Sequence, residues 1–202
     1  RLNKNNDTFC SFVDLEKAFD WINRDMLLYK LLKYNIDGKM YFAIKSLLSN
    51  TSSCVQLTNV LQTETFSIDF GVRQGDCISP TLFSLFINDL ANHLKVKCPM
   101  LSIGETSLNC LLYADDMVLI SESEQGLQCM LQELYNWCYQ WRLKVNETKT
   151  KIVHFRKPSN PWSKHDFKYG NCILEKVHSY KYLGIVLDEH LTFDLCTKTL
   201  SE

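Results

Sequence analysis

Leu111-Leu112-Tyr113-Ala114-Asp115-Asp116-Met117-Val118-Leu119-Ile120 sets two adjacent carboxylates between two apolar runs. Runs of this length, broken by a short polar pair, predict two buried strands joined by a tight turn. Asp is a favoured turn residue, so an ordinary Asp-rich turn also accounts for the pair taken alone. Two acids at a hairpin tip repel each other, however. Holding them beside buried flanks costs stability unless a cation or a basic group offsets the charge. A divalent metal such as Mg2+, which takes carboxylate oxygens, meets that need.

Moving outward, Thr8 to Leu15 (TFCSFVDL) is an apolar, β-rich run with Asp14 at its end. It predicts a buried strand that delivers an acid. A helix-start acid, favoured by the helix dipole, is the plainer account of Asp14. Glu16 to Asp20 turns the chain and places Phe19 and Trp21 near that strand end. Arg24 to Tyr34, with Leu27, Leu28, Leu31 and Leu32, predicts a one-sided helix broken by Gly38. Lys39 to Leu48 predicts a second helix. Ser53 to Thr58 and Thr63 to Phe70 alternate by twos and predict a strand pair. In Gly71-Val72-Arg73-Gln74-Gly75-Asp76 two glycines flank a Gln, which lets backbone approach a ligand closely. Ser79 as N-cap and Pro80 at the first helical position open a helix carrying Phe83, Phe86, Ile87, Leu90 and Leu94 on one face. A glycine loop feeding a helix start suits a phosphate or nucleotide, and equally an ordinary tight loop. Beyond the acidic hairpin, Ser121 and Glu124 have capping-box spacing. A helical stripe from Leu127 to Trp141 follows. Leu143 to Phe155 predicts a turn and a strand, residues 156–171 a polar surface loop, and Tyr182 to Leu187 a last strand. Hairpins outnumber evenly spaced βαβ units. The predicted class is therefore α+β, an antiparallel sheet with helices packed on one face.

At 202 residues and 46% hydrophobic, the chain can bury a core of its own, and 12% aromatics argue against disorder. No apolar run reaches the ~20 residues of a membrane-spanning helix. Nine cysteines form no metal-spaced cluster. Cys10, Cys110 and Cys138 read as small core residues, and reduced thiols point to an intracellular protein. The net charge of −1 is unlike a typical nucleic-acid binder. Its distribution is uneven: residues 1–140 hold 11 Lys/Arg against 16 Asp/Glu (−5), and residues 141–202 hold 11 against 7 (+4). The basic part could face phosphates, or its charge could be scattered and solvated.

Taken in order, these motifs resemble the palm of reverse transcriptases, most closely those of non-LTR (LINE-like) retrotransposons. Phe12-Val13-Asp14 through Ala18-Phe19-Asp20 is similar to the family's first palm motif, and Gly71 to Pro80 with Leu82-Phe83 to the second. Tyr113-Ala114-Asp115-Asp116 matches the third. Asn146-Glu147-Thr148-Lys149-Thr150-Lys151 looks like the fourth, and Tyr182-Leu183-Gly184 resembles the fifth, the primer grip. The resemblance implies a polymerase palm that copies RNA into DNA by two-metal phosphoryl transfer. Asp14, Asp115 and Asp116 would ligate two Mg2+ (or Mn2+) ions. Leu15, Phe19, Gln74 and Gly75 would bind the nucleotide, with Phe19 as the ring that excludes a ribose 2′-hydroxyl. Lys149 would neutralise or protonate the leaving pyrophosphate, and Tyr182, Leu183 and Gly184 would bind the primer. The implied partners are an RNA template, a DNA primer and deoxynucleoside triphosphates. Residues 1–190 are expected to form the palm and 191–202 the truncated start of a thumb or connection. The chain reads as a piece of a longer protein, lacking most of the fingers and thumb. Two other readings stay open: a catalytically incompetent remnant that binds nucleic acid or a partner, and an RNA-copying viral polymerase with a similar palm.

Overall fold

The computed structural model of the protein describes residues 7–56 and 61–193. In chain order its elements are β1 (Thr8–Asp14), α1 (Arg24–Lys33), α2 (Gly38–Leu48), β2 (Ser52–Ser53), β3 (Phe66–Ser67), α3 (Ser79–Lys97), β4 (Leu101–Ile103), β5 (Thr106–Leu108), β6 (Cys110–Tyr113), β7 (Asp116–Ser121), α4 (Glu124–Trp141), β8 (Lys151–Phe155), β9 (Lys168–Tyr169), β10 (Cys172–Ile173), β11 (Glu175–Lys176), β12 (Ser179–Tyr182) and β13 (Ile185–Asp188). The main sheet has the order β11-β8-β1-β7-β6, and only the short β11 runs parallel to its neighbour. This is the expected α+β class with a predominantly antiparallel sheet.

The chain divides into two compact units, Arg1–Glu16 with Leu90–Gln140 and Lys144–Glu202, and Lys17–Asp89 with Trp141–Leu143. The first holds the main sheet. Alternation along β1 sends Cys10, Phe12 and Asp14 to one face and Phe9, Ser11 and Val13 to the other. On the first face Cys10, Phe12, Val118, Val153 and Phe155 form a buried cluster, and Tyr180, Tyr182 and Leu187 of the β12–β13 hairpin pack on it. On the other face Val13, Met117, Leu119 and Ile152 are buried. There Gly126 of α4 lies so close that a Cβ would sit 2.3 Å from the Ser121 hydroxyl. That contact seats the buried stripe Leu127, Met130, Leu131, Leu134, Trp137 and Cys138. Each such side chain contributes about 1.5–3 kcal/mol by leaving water.

In the second unit Asn23 caps α1 by accepting the Met26 N–H at 3.0 Å. The helix ends where Asn35 takes a φ of +58 and Ile36 N–H reaches back to the Leu31 carbonyl at 2.9 Å. That is a Schellman ending with Asn in the glycine position. Gly38, expected to break the helix, instead opens α2. The buried side of α1 carries Lys30, at 2% exposure, while Leu32 stays 47% exposed. Lys30 is tolerated because its ammonium meets Asp89 at 2.6 Å and lies 3.7 Å from the Trp141 ring centroid. Burial still pulls its pKa down to about 8.

Other expectations change in detail. β6 is an edge strand, not a buried one: Tyr113 is 65% exposed, and Cys110 is half-buried while Cys10 and Cys138 are core. The strand pair over 53–70 shrinks to β2 and β3 plus a bridge between Gln56 and Gln62, and Thr58 lies outside the described residues. Ser79 is the first helical residue of α3 instead of its cap. Ser123, not Ser121, caps α4: its hydroxyl accepts the Gly126 N–H at 3.1 Å. The polar stretch 156–171 is no plain surface loop, since Phe167 is fully buried and β9 pairs with β10. Tyr182 to Leu187 is not one strand, because Leu183 and Gly184 both take positive φ and fold it into a two-residue type I′-like turn. Of the expected thumb start at 191–202, residues 194–202 lie outside the described residues. Among the described residues no helix is long and apolar enough to cross a membrane.

Candidate active site

Asp14 is the last residue of β1, and Asp116 is the first of β7. Antiparallel register makes them direct cross-strand partners. On the other side Asp116 pairs with Tyr113, which leaves Ala114 and Asp115 as the turn between β6 and β7. Three carboxylates therefore meet at one end of the sheet, contributed by strands about 100 positions apart in the chain. Ala114 at the tip takes a φ of +51, a conformation that costs a non-glycine residue about 1 kcal/mol. The carboxyl of Asp116 is held above its ordinary range, first by partial burial, then by the charges of Asp115 and Asp14. Like charges facing each other across a strand pair destabilise it.

Asp14 is fixed through its backbone. Its N–H donates to the Thr150 hydroxyl at 3.2 Å, and its carbonyl accepts the Asn146 N–H at 2.8 Å. Leu15 beside it is buried and bridges to Val145. The 146–150 turn thus wraps the end of β1, with Asn146 Oδ1 accepting from Lys149 N–H at 3.3 Å. Lys149 itself is exposed, and its ammonium has no ion-pair partner among the described residues. Neighbouring Lys151 is paired instead, with Glu175.

The fifth motif comes to the same face of the sheet. Phe12, two residues before Asp14, stacks on Tyr180 with centroids 4.5 Å apart and meets Tyr182 at 5.5 Å. Burial and then the charges of Asp14 and Asp116 raise the hydroxyl pKa of Tyr180; burial and Asp116 raise that of Tyr182. Both phenols thus stay neutral beside the acids. Leu183 and Gly184 form the exposed turn of the hairpin.

The remaining expected residues belong to the second unit. Phe19 is half-buried, stacked on Phe83 at 4.9 Å, and its carbonyl accepts the Val72 N–H at 2.8 Å. Gln74 donates to Asp20 at 3.0 Å. Gly71, at φ +79, lies where a Cβ would come within 2.7 Å of the Asp20 carbonyl oxygen, so only glycine lets these segments close up. Gly75, at φ +87, faces open space. Asp20, Arg24, Arg73 and Gln74 help line a cleft of about 640 Å³. Arg24 ties its walls together, donating to the carbonyls of Leu48, Ile68, Phe70 and Gly71 and to the Thr51 hydroxyl at 2.6–3.1 Å.

Sequence reasoning passed over Tyr180, Thr150 and Arg24. Tyr180 had a signal, since strand alternation puts it on the same face as Tyr182. Thr150 and Arg24 act on backbone groups far away in sequence, which no local pattern announces. Among the described residues no three His, Cys, Asp or Glu side chains are gathered tightly enough to cage a metal by themselves. The donor chemistry of Asp14, Asp115 and Asp116 nonetheless fits a hard divalent cation, and the like charges of Asp115 and Asp14, which add to burial in raising Asp116, are what such a cation relieves.

A family model described as reverse transcriptase (RNA-dependent DNA polymerase) matches residues 1–187. The RNA-directed DNA polymerase from mobile element jockey of Drosophila melanogaster is 30% identical over 191 residues, covering 91% of this chain and 20% of that protein. The probable RNA-directed DNA polymerase from transposon BS of the same species is 33% identical over 194 residues, covering 90% and 20%. A Pol polyprotein of the R2 retrotransposable element of Popillia japonica is 26% identical over 180 residues, covering 85% and 25%. The chain thus spans about 20–25% of the length of these relatives. Apo telomerase of Candida tropicalis, truncated from its C-terminal domain, superposes with a TM-score of 0.63 at 15% identity, covering 96% of this chain and 36% of that one; this is a likeness of fold. The family match spans both compact units and the whole carboxylate end of the sheet, and its relatives are polymerases of non-LTR retrotransposons: the chain belongs to the reverse transcriptase (RNA-dependent DNA polymerase) family.

Proposed function

We propose that this chain is the palm of an RNA-directed DNA polymerase, adding deoxynucleotides to a primer 3′ end on an RNA template. The observation that carries the reading is the register that sets Asp14 opposite Asp116, with Asp115 at the adjoining tip. Carboxylates from separate strands are what a two-metal displacement needs. Mg2+ or Mn2+ bound by Asp14, Asp115 and Asp116 would supply charge neutralisation at the attacking and leaving oxygens. The chain's own residues do the positioning, which is most of what phosphoryl transfer asks of a protein. Tyr182, Leu183 and Gly184 place the primer end on the sheet face that bears the acids. Leu15, Gln74 and Gly75 serve the incoming nucleotide. Phe19 sets its ring, held by Phe83, against the sugar, where a 2′-hydroxyl has no room. Lys149, free of an ion pair among the described residues, neutralises the departing pyrophosphate. Residues 1–190 act as this palm, and the eight described cysteines, all unbridged, suit a reducing compartment, cytoplasm or nucleus.

The test is primer extension on an RNA template with Mg2+ or Mn2+, comparing the full-length protein with its Asp115→Asn variant. Extension confined to the unmodified protein supports the reading. Equal extension by the variant overturns the assignment of the carboxylates, and no extension by either favours a retained fold without catalysis.

A further inference from the structure

The β12–β13 hairpin is its own two-stranded sheet, and no strand ladder joins it to the five-stranded one among the described residues. Its base is tied by backbone: Val177 N–H donates to the Ile152 carbonyl, and Arg156 N–H to the Glu189 carbonyl, at 2.8 and 2.9 Å. Toward the turn, side-chain packing holds it to the sheet. Tyr180 and Tyr182 alternate onto the sheet-facing side of β12, and Leu187, the cross-strand partner of Tyr180, joins them on the buried cluster. Of the two tyrosines, Tyr180 is the one laid flat on Phe12, at 4.5 Å and 18° between planes, while Tyr182 is tilted at 52°. Phe12 is only 2% exposed and sits between β7 and β8, so it cannot shift without disturbing three strands. It also lies two residues from Asp14 and is the cross-strand partner of Val118, two residues from Asp116. One ring stack thus links the hairpin to the frame that carries the acids.

We propose that Tyr180 is a positioning residue for polymerisation: its ring, stacked on Phe12, sets where the hairpin turn Leu183-Gly184 stands relative to Asp14 and Asp116. The inference rests on the polymerase reading above and deepens it by assigning to Tyr180 the placement of the primer end. The ring does this work and the hydroxyl does not, since Phe would stack on Phe12 as well as Tyr. Loss of the ring lets the turn drift. A displacement of ~1 Å at a reacting centre can cost on the order of 100-fold in rate.

Single-turnover extension of a primer on an RNA template, at saturating primer–template and well below each variant's melting transition, tests this in the full-length protein. Tyr180→Ala should slow the chemical step by about 10–100-fold with the KM for deoxynucleotide unchanged, because the misplaced group is the primer and not the nucleotide. Tyr180→Phe should restore the rate to within about twofold. A purely structural role would lower the melting temperature of Tyr180→Ala without changing the rate measured below it, and that result overturns the proposal. So does a Tyr180→Phe variant as slow as Tyr180→Ala, or a loss confined to nucleotide KM. Asp115→Asn, run alongside, separates the two levels. If it extends as well as the unmodified protein, the polymerase reading fails; if it is inactive while Tyr180→Ala is fully active, only the positioning role fails.

Discussion

Replacing Asp116 with Asn should stabilise the protein at neutral pH while removing a member of its candidate active site. Asp116 faces Asp14 across β1 and β7 and follows Asp115 directly, and these charges, after burial, hold its carboxyl above the ordinary value of 3.8. An acid whose folded pKa is raised binds its proton more tightly in the folded state. It has no effect on stability when both states are protonated, below the unfolded value. It costs stability once pH has risen past the folded value. Directly opposed residues place their Cβ atoms roughly 5 Å apart. Two unit charges at about that distance repel by ~0.8 kcal/mol in bulk water and by several times more in a low-dielectric setting. Asp116 is largely exposed, so the lower figure governs, and removing its repulsion from both neighbours is worth about 0.5–1 kcal/mol. For a protein of this size that is a rise of roughly 1–4 °C in melting temperature. Asn is nearly isosteric with Asp, so packing is unchanged. The assay is thermal melting of both proteins in chelator, at neutral pH and near ~pH 3, where carboxylates are protonated. The variant's advantage should appear at neutral pH and vanish at the acidic one. Adding excess Mg2+ should then stabilise the unmodified protein more than the variant, in proportion to binding of the folded state alone. A variant no more stable at neutral pH, or equally favoured at both, would refute the claim that the acids repel one another in the fold.

Three further outcomes follow from the geometry. Arg24→Ala strips five hydrogen bonds from the segments 48–51 and 68–71, leaving carbonyls without their donor, and should cost about 2–4 kcal/mol. Chemical denaturation reads the loss, amide exchange should quicken in those two segments, and Arg24→Lys should recover only part because one ammonium cannot reproduce the fork. Phe19→Ala should relax discrimination between deoxy- and ribonucleotides by roughly 10–200-fold, read as the ratio of kcat/KM for the two sugars; unchanged selectivity would remove Phe19 from the sugar contact. Cys98 and Cys129 have their sulfurs 3.3 Å apart, close enough that diamide, by taking up two protons and two electrons, should join them as a disulfide. Mass spectrometry of the linked peptides checks this, and Cys98→Ser should abolish the link.

The acids of the site were legible because their surroundings are not polar: Asp115 and Asp116 interrupt an apolar run, and Asp14 ends one. Their convergence was not, since pairing Asp14 with Asp116 depends on a register between strands far apart in the chain. Helices were legible by periodicity and their ends less so. A Schellman ending accepts Asn as well as Gly, so Asn35 rather than Gly38 stops α1. At α4 two serines compete for one capping role, and only the path of the chain gives it to Ser123. Composition misled twice. The polar stretch 156–171 hides Phe167 in the core, and the apolar Tyr-Leu-Gly-Ile-Val-Leu conceals a turn because Leu183 adopts a conformation that glycine usually fills. Lys30 is a further case: a Lys on the buried face of a helix reads as an error until the Asp89 carboxylate and the Trp141 ring are seen around it.

The strained features of the first unit's carboxylate site are gathered within a few residues of one another. Ala114 occupies a left-handed conformation, Asp115 and Asp116 are adjacent, and Asp116 opposes Asp14. Each costs on the order of 1 kcal/mol, and such features persist only where the surrounding structure over-determines them. Here that surrounding structure is the cluster under the acids, in which Phe12, Val118, Val153 and Phe155 are at most 6% exposed. Phe12 therefore has two consequences from one position. It belongs to the packing that offsets the strain of the acidic tip, and its outer face receives Tyr180 and so carries the hairpin. The acids and the hairpin are consequently not independent parts joined by a flexible chain. They share a ring, and any change that displaces that ring moves the acidic tip and the hairpin together.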